Sequence, residues 1–390
     1  MNPNWHLVLL CVAVIFLLLP VYSYLFYPIL LKGFKKSFPL SRATSVFQKR
    51  IIVLIAAYNE EKVIATKIES IIQSNYPTNL IEVWVGSDAS TDQTDHIVQS
   101  YRQQFPFIHL VRMEGRVGKP TIINRLMKQS GANLNPDAIV LMTDANVFFE
   151  KEMLQNLVNG FANERVALIG ANVINTVPGN EQAGVMEEVY INRENQLKQL
   201  ESDWKGVMIG PFGACFAIRA SVFKEIPINF IVDDFFWCLQ VLEQGYLACF
   251  NSMAICYEDL PGKWQEEFRR KRRIAYGNFQ NLIYFNKLLL KFWTPIGFAF
   301  WSHKGIRWLA PCFLLIAILA NPYFTFELLA VVACLVILLE GISRLFVIKR
   351  SPLQAILYFC QMNVAVFLGL IDFIAKRRKG ANWKPTTRNF

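Results

Sequence analysis

The chain has 390 residues, of which 53% are hydrophobic and 14% aromatic, and its formal net charge is +10. A composition this apolar argues against a purely water-soluble protein, and the length suffices for a sizeable core. The positive charge lies in short clusters beside apolar segments, which indicates contact with anionic lipid. The sequence has no helix-turn-helix, zinc-finger or RNA-binding signature, so we expect no nucleic-acid partner.

The first apolar segment, residues 6–31, contains no charged residue and is long enough to span a bilayer. It lacks a basic leader and a small-residue cleavage site, so we interpret residues 1–36 as an N-terminal transmembrane anchor. Three lysines follow within residues 32–36, and the positive-inside rule places the next segment in the cytoplasm. Residues 37–285 are therefore predicted to form one cytoplasmic domain.

The cytoplasmic domain alternates apolar runs with helical patterns. Four runs have the length and composition of buried strands: residues 51–57, 81–85, 108–111 and 139–143. A helix with isoleucines on one face follows the first run, and Pro120 opens another helix after the third. Strands that alternate with helices indicate an α/β fold with a doubly wound, mostly parallel sheet.

Polar side chains follow these runs where the predicted strands end. Residues 57–60 follow the first run, Asp88 follows the second, and Asp144 and Asn146 follow the fourth. In an open α/β sheet, ligands bind outside the carboxyl ends of the strands. A carboxylate with an amide oxygen two positions on suits a hard divalent cation carrying a nucleotide diphosphate. An acid in such a turn can instead cap a helix, which is the role we expect for Asp92.

The second half of the domain carries a pair of acids and a basic run. Asp233 and Asp234 lie between large apolar residues, where two acids more often mark a site than a solvated helix start. The basic run at residues 269–273 leaves two interpretations open, a lipid-facing charge patch or contact with a diphosphate.

The last part of the chain is again apolar. Residues 286–304 mix lysine with aromatic residues and proline, which predicts an amphipathic segment in the headgroup plane. Residues 305–376 contain three apolar blocks, predicted to be C-terminal transmembrane helices. The first block, residues 308–320, is short and contains Pro311, so it is the candidate for a re-entrant or interfacial segment. Three crossings would place the basic tail, residues 377–390, outside the cell, against the charge rule.

Short motifs occur in a fixed order along residues 51–279: Ala-Ala-Tyr-Asn-Glu, Ser-Asp-Ala-Ser-Thr-Asp, Gly-Arg-Val-Gly-Lys-Pro, Thr-Asp-Ala-Asn, Gly-Pro-Phe-Gly-Ala-Cys, Val-Asp-Asp and Arg-Arg-Lys-Arg-Arg. In this order they resemble the membrane-bound family 2 glycosyltransferases of the GT-A fold, similar to cellulose and poly-N-acetylglucosamine synthases. The resemblance implies a GT-A type nucleotide-sugar-binding domain with transmembrane helices at both ends.

The resemblance also implies a role for each matching residue. The implied donor-binding set is Ala57, Tyr58, Glu60, Asp88, Arg116, Lys119, Asp144 and Arg270. Within it, Asp88 would hold the base, since a carboxylate accepts a hydrogen bond from the imide N–H of uracil. Asp144, helped by Asn146, would hold Mg²⁺ or Mn²⁺. We therefore expect the partner to be a nucleotide sugar, with UDP as the expected nucleotide.

The implied catalytic set is Asp234, Asp233 and Arg273. Asp234 would be the general base that takes a proton from the acceptor hydroxyl. The metal and the arginines would stabilise the diphosphate leaving group. A single in-line displacement inverts the anomeric centre, so we expect an inverting, metal-dependent hexosyltransferase.

Three motifs depart from the family's usual pattern. Asn146 stands where the metal motif usually has a second Asp, and Asp233 stands where the acceptor-side motif has Glu. Processive synthases carry Gln-x-x-Arg-Trp, whereas residues 270–274 are Arg-Lys-Arg-Arg-Ile and lack both the Gln and the Trp. The Trp usually packs beside the acceptor sugar, so its absence bears on processivity.

Two classes of acceptor are open, of which a growing polysaccharide is slightly favoured and a membrane lipid is the alternative. Three C-terminal apolar blocks favour a growing polysaccharide, whereas the missing Trp favours a single addition to a membrane lipid, as in ceramide glucosyltransferases. A non-catalytic membrane subunit is disfavoured because Asp88, Asp144, Asp234 and Arg273 are all present. A transporter is disfavoured because the apolar blocks carry few charges. We expect an integral protein of the inner or plasma membrane whose catalytic domain is cytoplasmic.

Overall fold

The computed structural model describes residues 3–38, 47–176, 182–259, 264–345 and 352–377. Apart from Arg377, the predicted basic tail lies outside these residues.

The described residues contain eight strands, which form one sheet. They are β1 (Ile51–Ala57), β2 (Ile81–Ser87), β3 (Ile108–Arg112), β4 (Ile139–Asp144), β5 (Val147–Phe149), β6 (Val166–Thr176), β7 (Cys215–Arg219) and β8 (Leu247–Asp259). The four strands predicted from apolar runs are therefore confirmed as β1 to β4.

The α-helices of the described residues lie between and beyond these strands. They are α1 (Pro3–Val21), α2 (Tyr27–Gly33), α3 (Ile64–Ile72), α4 (Thr94–Gln104), α5 (Lys119–Gln129), α6 (Met153–Asn159), α7 (Gln182–Lys205), α8 (Asp233–Glu243), α9 (Trp264–Tyr284), α10 (Asn286–Leu289), α11 (Pro295–Phe300), α12 (Ile306–Ala320), α13 (Pro322–Leu345) and α14 (Pro352–Ile374).

The described residues divide into two units. The sheet unit takes in residues 34–259 and 280–299, and the helical unit takes in residues 3–33, 264–279 and 300–377, each less the gaps given above.

The sheet has the order β3-β2-β1-β4-β7-β6-β8-β5. From β3 to β4 every neighbouring pair is parallel, and β6 pairs with β8 in parallel, whereas β7 is antiparallel to both of its neighbours. All seven residues of β1 are buried, as expected for a central strand covered on both faces. The mostly parallel α/β prediction is therefore confirmed.

The register of the parallel strands brings their polar ends together. Ala57 lies opposite Ser87 on one side, and Ala56 lies opposite Asp144 on the other. The loops that leave β1, β2 and β4 therefore start from the same edge of the sheet. This edge is where an open α/β sheet binds its ligand.

The helical unit holds helix α9 against helix α14 by charge and by close packing. Arg272 donates to both carboxylate oxygens of Asp372, from Nε at 2.7 Å and from a terminal nitrogen at 2.8 Å. Beside this pair, a Cβ built on Gly369 would lie only 2.7 Å from the carbonyl oxygen of Arg272. Only glycine allows the two backbones to approach this closely.

Four helical segments of the described residues are long and apolar enough to cross a membrane: Trp5–Gly33, Pro295–Ala320, Pro322–Glu340 and Pro352–Ile374. The second segment differs from the sequence prediction. Residues 295–304, expected to lie in the headgroup plane, continue through a π-helical turn into α12, and Pro311 lies inside that helix. A proline removes one backbone hydrogen bond, which neighbouring helices and wider turns can compensate. The block that contains Pro311 was expected to be short, but it is part of a helical segment of 26 residues.

Gly86 should be intolerant of a side chain, because helix α5 packs directly on strand β2 there. A Cβ at residue 86 would overlap Ile122 and would lie 3.2 Å from Leu126 Cδ1, whereas a Cβ at Gly115 would meet nothing within 4 Å. We expect Gly86→Ala to cost about 1–3 kcal/mol of stability through overpacking. Thermal unfolding of the purified variants measures this, with Gly115→Ala as the matched control. Equal melting temperatures for both variants would contradict the packing argument.

Candidate active site

The loops after β1 and β2 are joined by hydrogen bonds between their backbones and side chains. Asn59 Oδ1 accepts from the amide of Thr91 at 2.8 Å, and the amide of Glu60 donates to Thr94 Oγ1 at 2.8 Å. Asp92 Oδ1 accepts from the amide of Thr94 at 3.0 Å, so this acid caps the start of α4. The backbone around Tyr58 and Glu60 is therefore held in one arrangement.

Asp88 lies at the centre of this edge and is fully buried. Its carboxylate accepts from Arg116 Nε at 2.9 Å and from the amide of Val117 at 2.7 Å. The guanidinium of Arg116 also stacks on the Tyr58 ring, 3.3 Å from its centroid. The structure thus brings together Tyr58, Asp88 and Arg116, three of the predicted donor-binding residues. In this arrangement Asp88 ties the loop of residues 114–118 to the end of β2.

A second group forms around the ammonium of Lys119, at the start of α5. Lys119 Nζ lies 2.8 Å from Asp144 Oδ1, 3.5 Å from Asp233 Oδ2 and 3.4 Å from the carbonyl oxygen of Gly213. Burial opposes the charge of Lys119, but the carboxylates of Asp144 and Asp233 outweigh it, so the pKa of Lys119 is raised. The group therefore contains a permanently charged cation between two carboxylates.

Asp233 and Asp234 are the first two residues of α8, where the helix dipole favours acids. The carboxylate of Asp234 accepts from the amide of Phe235 at 2.8 Å. It faces Gly213, because a Cβ built on that glycine would lie 3.0 Å from Asp234 Oδ2. Burial, followed by the charge of Asp233, raises the pKa of Asp234 to about 6. Such a value suits a group that accepts a proton near neutral pH.

The donor atoms of this group fit a hard divalent cation. Asp144 Oδ1 already contacts a cation, the Lys119 ammonium, and Asp233 Oδ2 is a buried oxygen that accepts no hydrogen bond within the described part of the chain. Carboxylate and amide oxygens, here from Asp144 and Asn146, are the ligands that Mg²⁺ and Mn²⁺ prefer. No three acidic, histidine or cysteine side chains among the described residues form a ready-made metal cluster. Binding of a cation would therefore involve movement of the lysine.

The two predicted diphosphate-binding arginines lie elsewhere in the chain, on helix α9. Arg270 Nε donates to Glu267 Oε2 at 2.8 Å, which places Arg270 in an ion pair within the helix. Arg273 lies three residues further on in the same helix. A role for either arginine toward the donor stays a prediction.

Two buried lysines were missed by the sequence analysis. Lys67 is fully buried on α3, and burial lowers its pKa to about 7. Lys198, on α7, is also buried, and its ammonium lies 3.1 Å from the centroid of the Phe212 ring. The sequence does contain a signal for Lys67, because it falls on the apolar face of α3 with Ile64 and Ile68. A lysine on such a face is expected to be buried and to need hydrogen-bond partners.

Arg116→Ala should destabilise the sheet unit, because it leaves the buried carboxylate of Asp88 with amide partners only. Removing one partner of a buried ion pair costs about 3 kcal/mol or more. In a domain of this size that lowers the melting temperature by roughly 6–12 °C. The matched control is Arg112→Ala. Arg112 forms an ion pair with Asp95 at the surface, and the Arg112 side chain is 53% exposed. Similar melting temperatures for the two variants would show that the Asp88 pair does not hold the loop.

Comparisons with known proteins give the chain relatives in sequence and in fold. Residues 52–227 match the model of the Glycosyl transferase family 2. The probable glycosyltransferase YdaM of Bacillus subtilis (strain 168) is 28% identical over 258 residues, which cover 63% of this chain and 59% of that protein. The beta-monoglucosyldiacylglycerol synthase of Synechocystis sp. is 32% identical over 122 residues, covering 31% of this chain and 24% of that protein.

The matched regions thus span about three-fifths and a quarter of these two relatives. A solved structure of the mannosyltransferase PcManGT from Pyrobaculum calidifontis, in complex with GDP-Man and Mn²⁺, covers 95% of this chain and 100% of its own, with a TM-score of 0.69 and 20% identity. At that identity the likeness concerns the fold. Residues 52–227 therefore match the Glycosyl transferase family 2 model, and the chain shares the GT-A-like fold of the solved mannosyltransferase.

Proposed function

We propose that this protein is a membrane-bound glycosyltransferase that transfers a sugar from a nucleotide sugar to an acceptor hydroxyl with inversion at the anomeric carbon. The observation that carries the proposal is the group of Lys119, Asp144, Asp233 and Asp234 at the carboxyl edge of the sheet. Lys119 and Asp144 lie within the residues that match the family 2 model, and Asp233 and Asp234 follow shortly after its last matched residue. It combines a proton acceptor with positive charge, and transfer to a hydroxyl needs both.

Asp234 is the proposed general base. With a pKa raised to about 6, it is mostly ionised at neutral pH and yet basic enough to take a proton from a hydroxyl that is attacking the donor. Its hydrogen bond from Phe235 fixes one carboxylate oxygen, and the other faces the space beside Gly213. The acceptor hydroxyl is therefore proposed to approach from the side of the Gly213 loop.

The donor is proposed to occupy the edge formed by the loops after β1, β2 and β4. Tyr58 and Arg116 already stack there, and Asp88 holds the loop that carries Arg116. Lys119 supplies a fixed positive charge beside this edge, suited to the diphosphate. When bound through Asp144 and Asn146, Mg²⁺ or Mn²⁺ would neutralise the charge that develops on the leaving diphosphate. PcManGT is described with Mn²⁺ and GDP-Man, which supports a metal and leaves the base open between uracil and guanine.

The acceptor is proposed to be a membrane lipid that receives one sugar. Ile274 stands where processive synthases have a Trp, which supports a single addition. The four apolar helical segments suit an enzyme at a bilayer and agree with either class of acceptor. The name of the Synechocystis relative describes a glycolipid synthase, which supports the same class of acceptor. A cytoplasmic catalytic domain follows from the lysines at residues 32–36.

A donor assay tests the proposed function. The full chain, purified in detergent, is incubated with Mn²⁺, a membrane lipid extract and a panel of radiolabelled UDP- and GDP-sugars. We expect one donor to give a single addition to lipid, and Asp234→Asn to lower kcat about 100-fold or more, as for loss of a general base. Asp137→Asn is the matched control, since the side chain of Asp137 is 82% exposed.

Two results of this assay would contradict the proposal. They are the absence of turnover with every donor and full activity in Asp234→Asn. A ladder of products would instead identify a polysaccharide synthase and overturn the single-addition part alone.

The pH dependence of kcat/KM should show an acidic limb near pH 6. Protonation of Asp234 removes the base, so activity falls as the pH drops through its raised pKa. Asp233→Asn removes a negative charge that raises this pKa, so the limb should move to lower pH, although burial, the larger cause, remains. The profile is measured with the donor found above. A limb that stays in place or moves to higher pH in Asp233→Asn would show that Asp234 is not the group that titrates.

A further inference from the structure

Lys67 reaches from helix α3 to the turn that joins β4 to β5. Its ammonium donates to Thr143 Oγ1 at 3.0 Å and to the carbonyl oxygen of Val147 at 2.6 Å. It also lies over the Phe149 ring, 3.5 Å from the centroid. Thr143 directly precedes Asp144, and Val147 directly follows Asn146. The lysine therefore bridges both ends of the turn that carries the proposed metal ligands.

Burying this lysine costs desolvation free energy. Its side chain is fully buried, and no carboxylate among the described residues pairs with it at hydrogen-bond distance. An apolar residue of similar length would fill the same space without that desolvation cost. The Nζ group of Lys67 keeps N–H donors whether it is protonated or neutral, and its two hydrogen bonds define a direction. It can thus fix a turn in a way that an apolar side chain cannot.

The contacts continue from Lys67 toward the cation site. Thr143 accepts from Lys67, and its hydroxyl lies 3.4 Å from the carbonyl oxygen of Asp144. The amide of Asp144 donates to the carbonyl oxygen of Ala214 at 3.0 Å, which fixes the end of β4 on its other side. Asp144 then presents its carboxylate to Lys119 on the open face. Groups behind metal ligands that orient them in this way commonly affect metal affinity 10–100-fold.

We propose that Lys67 is a positioning residue that holds the turn of Asp144 and Asn146 in the arrangement that binds a divalent cation with a nucleoside diphosphate. The proposal rests on the proposed function, since it assigns the support of the same site. Lys67 touches neither substrate nor metal. Its effect passes through Thr143 and Val147 to the two ligands between them.

The test measures Mn²⁺ binding rather than turnover. The full chain in detergent is titrated with Mn²⁺, alone and with UDP or GDP, and free Mn²⁺ is followed by its electron paramagnetic resonance signal. We expect Lys67→Met, which keeps the length of the side chain, to weaken Mn²⁺ binding about tenfold or more. Lys62→Met is the matched control, because Lys62 is exposed just before the same helix, and it should bind Mn²⁺ as the wild type does.

A second variant keeps the proposal testable if Lys67→Met does not fold. Thr143→Val removes one of the two acceptors at nearly constant volume and should weaken Mn²⁺ binding about threefold or more, with a melting temperature close to the wild type. Wild-type Mn²⁺ affinity in a folded Lys67→Met or Thr143→Val protein would overturn the proposal. If the wild-type protein binds no Mn²⁺, the proposal fails together with the metal's role, whereas turnover in the donor assay would still support sugar transfer.

Discussion

The contact between Lys119 and the carboxylates around it is the interaction on which the site depends. Asp144, Asp233 and Asp234 come from two separate elements and repel one another where they meet. Lys119 contacts the first two and lowers the pKa of the third. Without a cation at this point, the repulsion between the carboxylates would be uncompensated. Asp144, with Asn146, would hold a divalent cation when one is bound, and that cation would bring two positive charges to oxygens that now face one ammonium.

The parallel register determines that these groups meet at all. Because β1 lies between β2 and β4 with matched ends, the loops that carry Tyr58, Asp88 and Asp144 leave the sheet side by side. Helix α5 then packs closely on β2 at Gly86, which sets the position of Lys119 at the start of the helix and of the loop with Arg116 just before it. Arg116 pairs with Asp88 and stacks on the Tyr58 ring, whereas Lys119 pairs with Asp144 and Asp233. One short loop therefore serves both halves of the site.

The strands and the polar loop residues could be predicted from the sequence, because a buried parallel strand is a continuous apolar run that ends in a polar turn. The runs at residues 51–57 and 139–143 match β1 and β4 to within one residue. The partners of these residues could not be predicted in the same way, since the pair of Arg116 with Asp88 depends on the folding of a loop with no regular period. The apolar block that ends at residue 320 was expected to be short because residues 295–304 mix lysine and proline and Pro311 interrupts the block, whereas the helical segment runs from Pro295 to Ala320. Lys67 was overlooked because one polar residue hardly disturbs an apolar periodicity.

The substitution of Asn146 for the usual acid is consistent with the charges that surround it. Asp144, Asp233 and Asp234 already outnumber Lys119, so another acid at residue 146 would add a like charge two residues from Asp144. An amide keeps an oxygen ligand for the cation without that repulsion. Because an amide is neutral, it binds the metal more weakly than a carboxylate would. Rigid support of the turn by the buried Lys67 ammonium offsets such a loss, because a ligand already held in place gives up less conformational entropy when the metal binds.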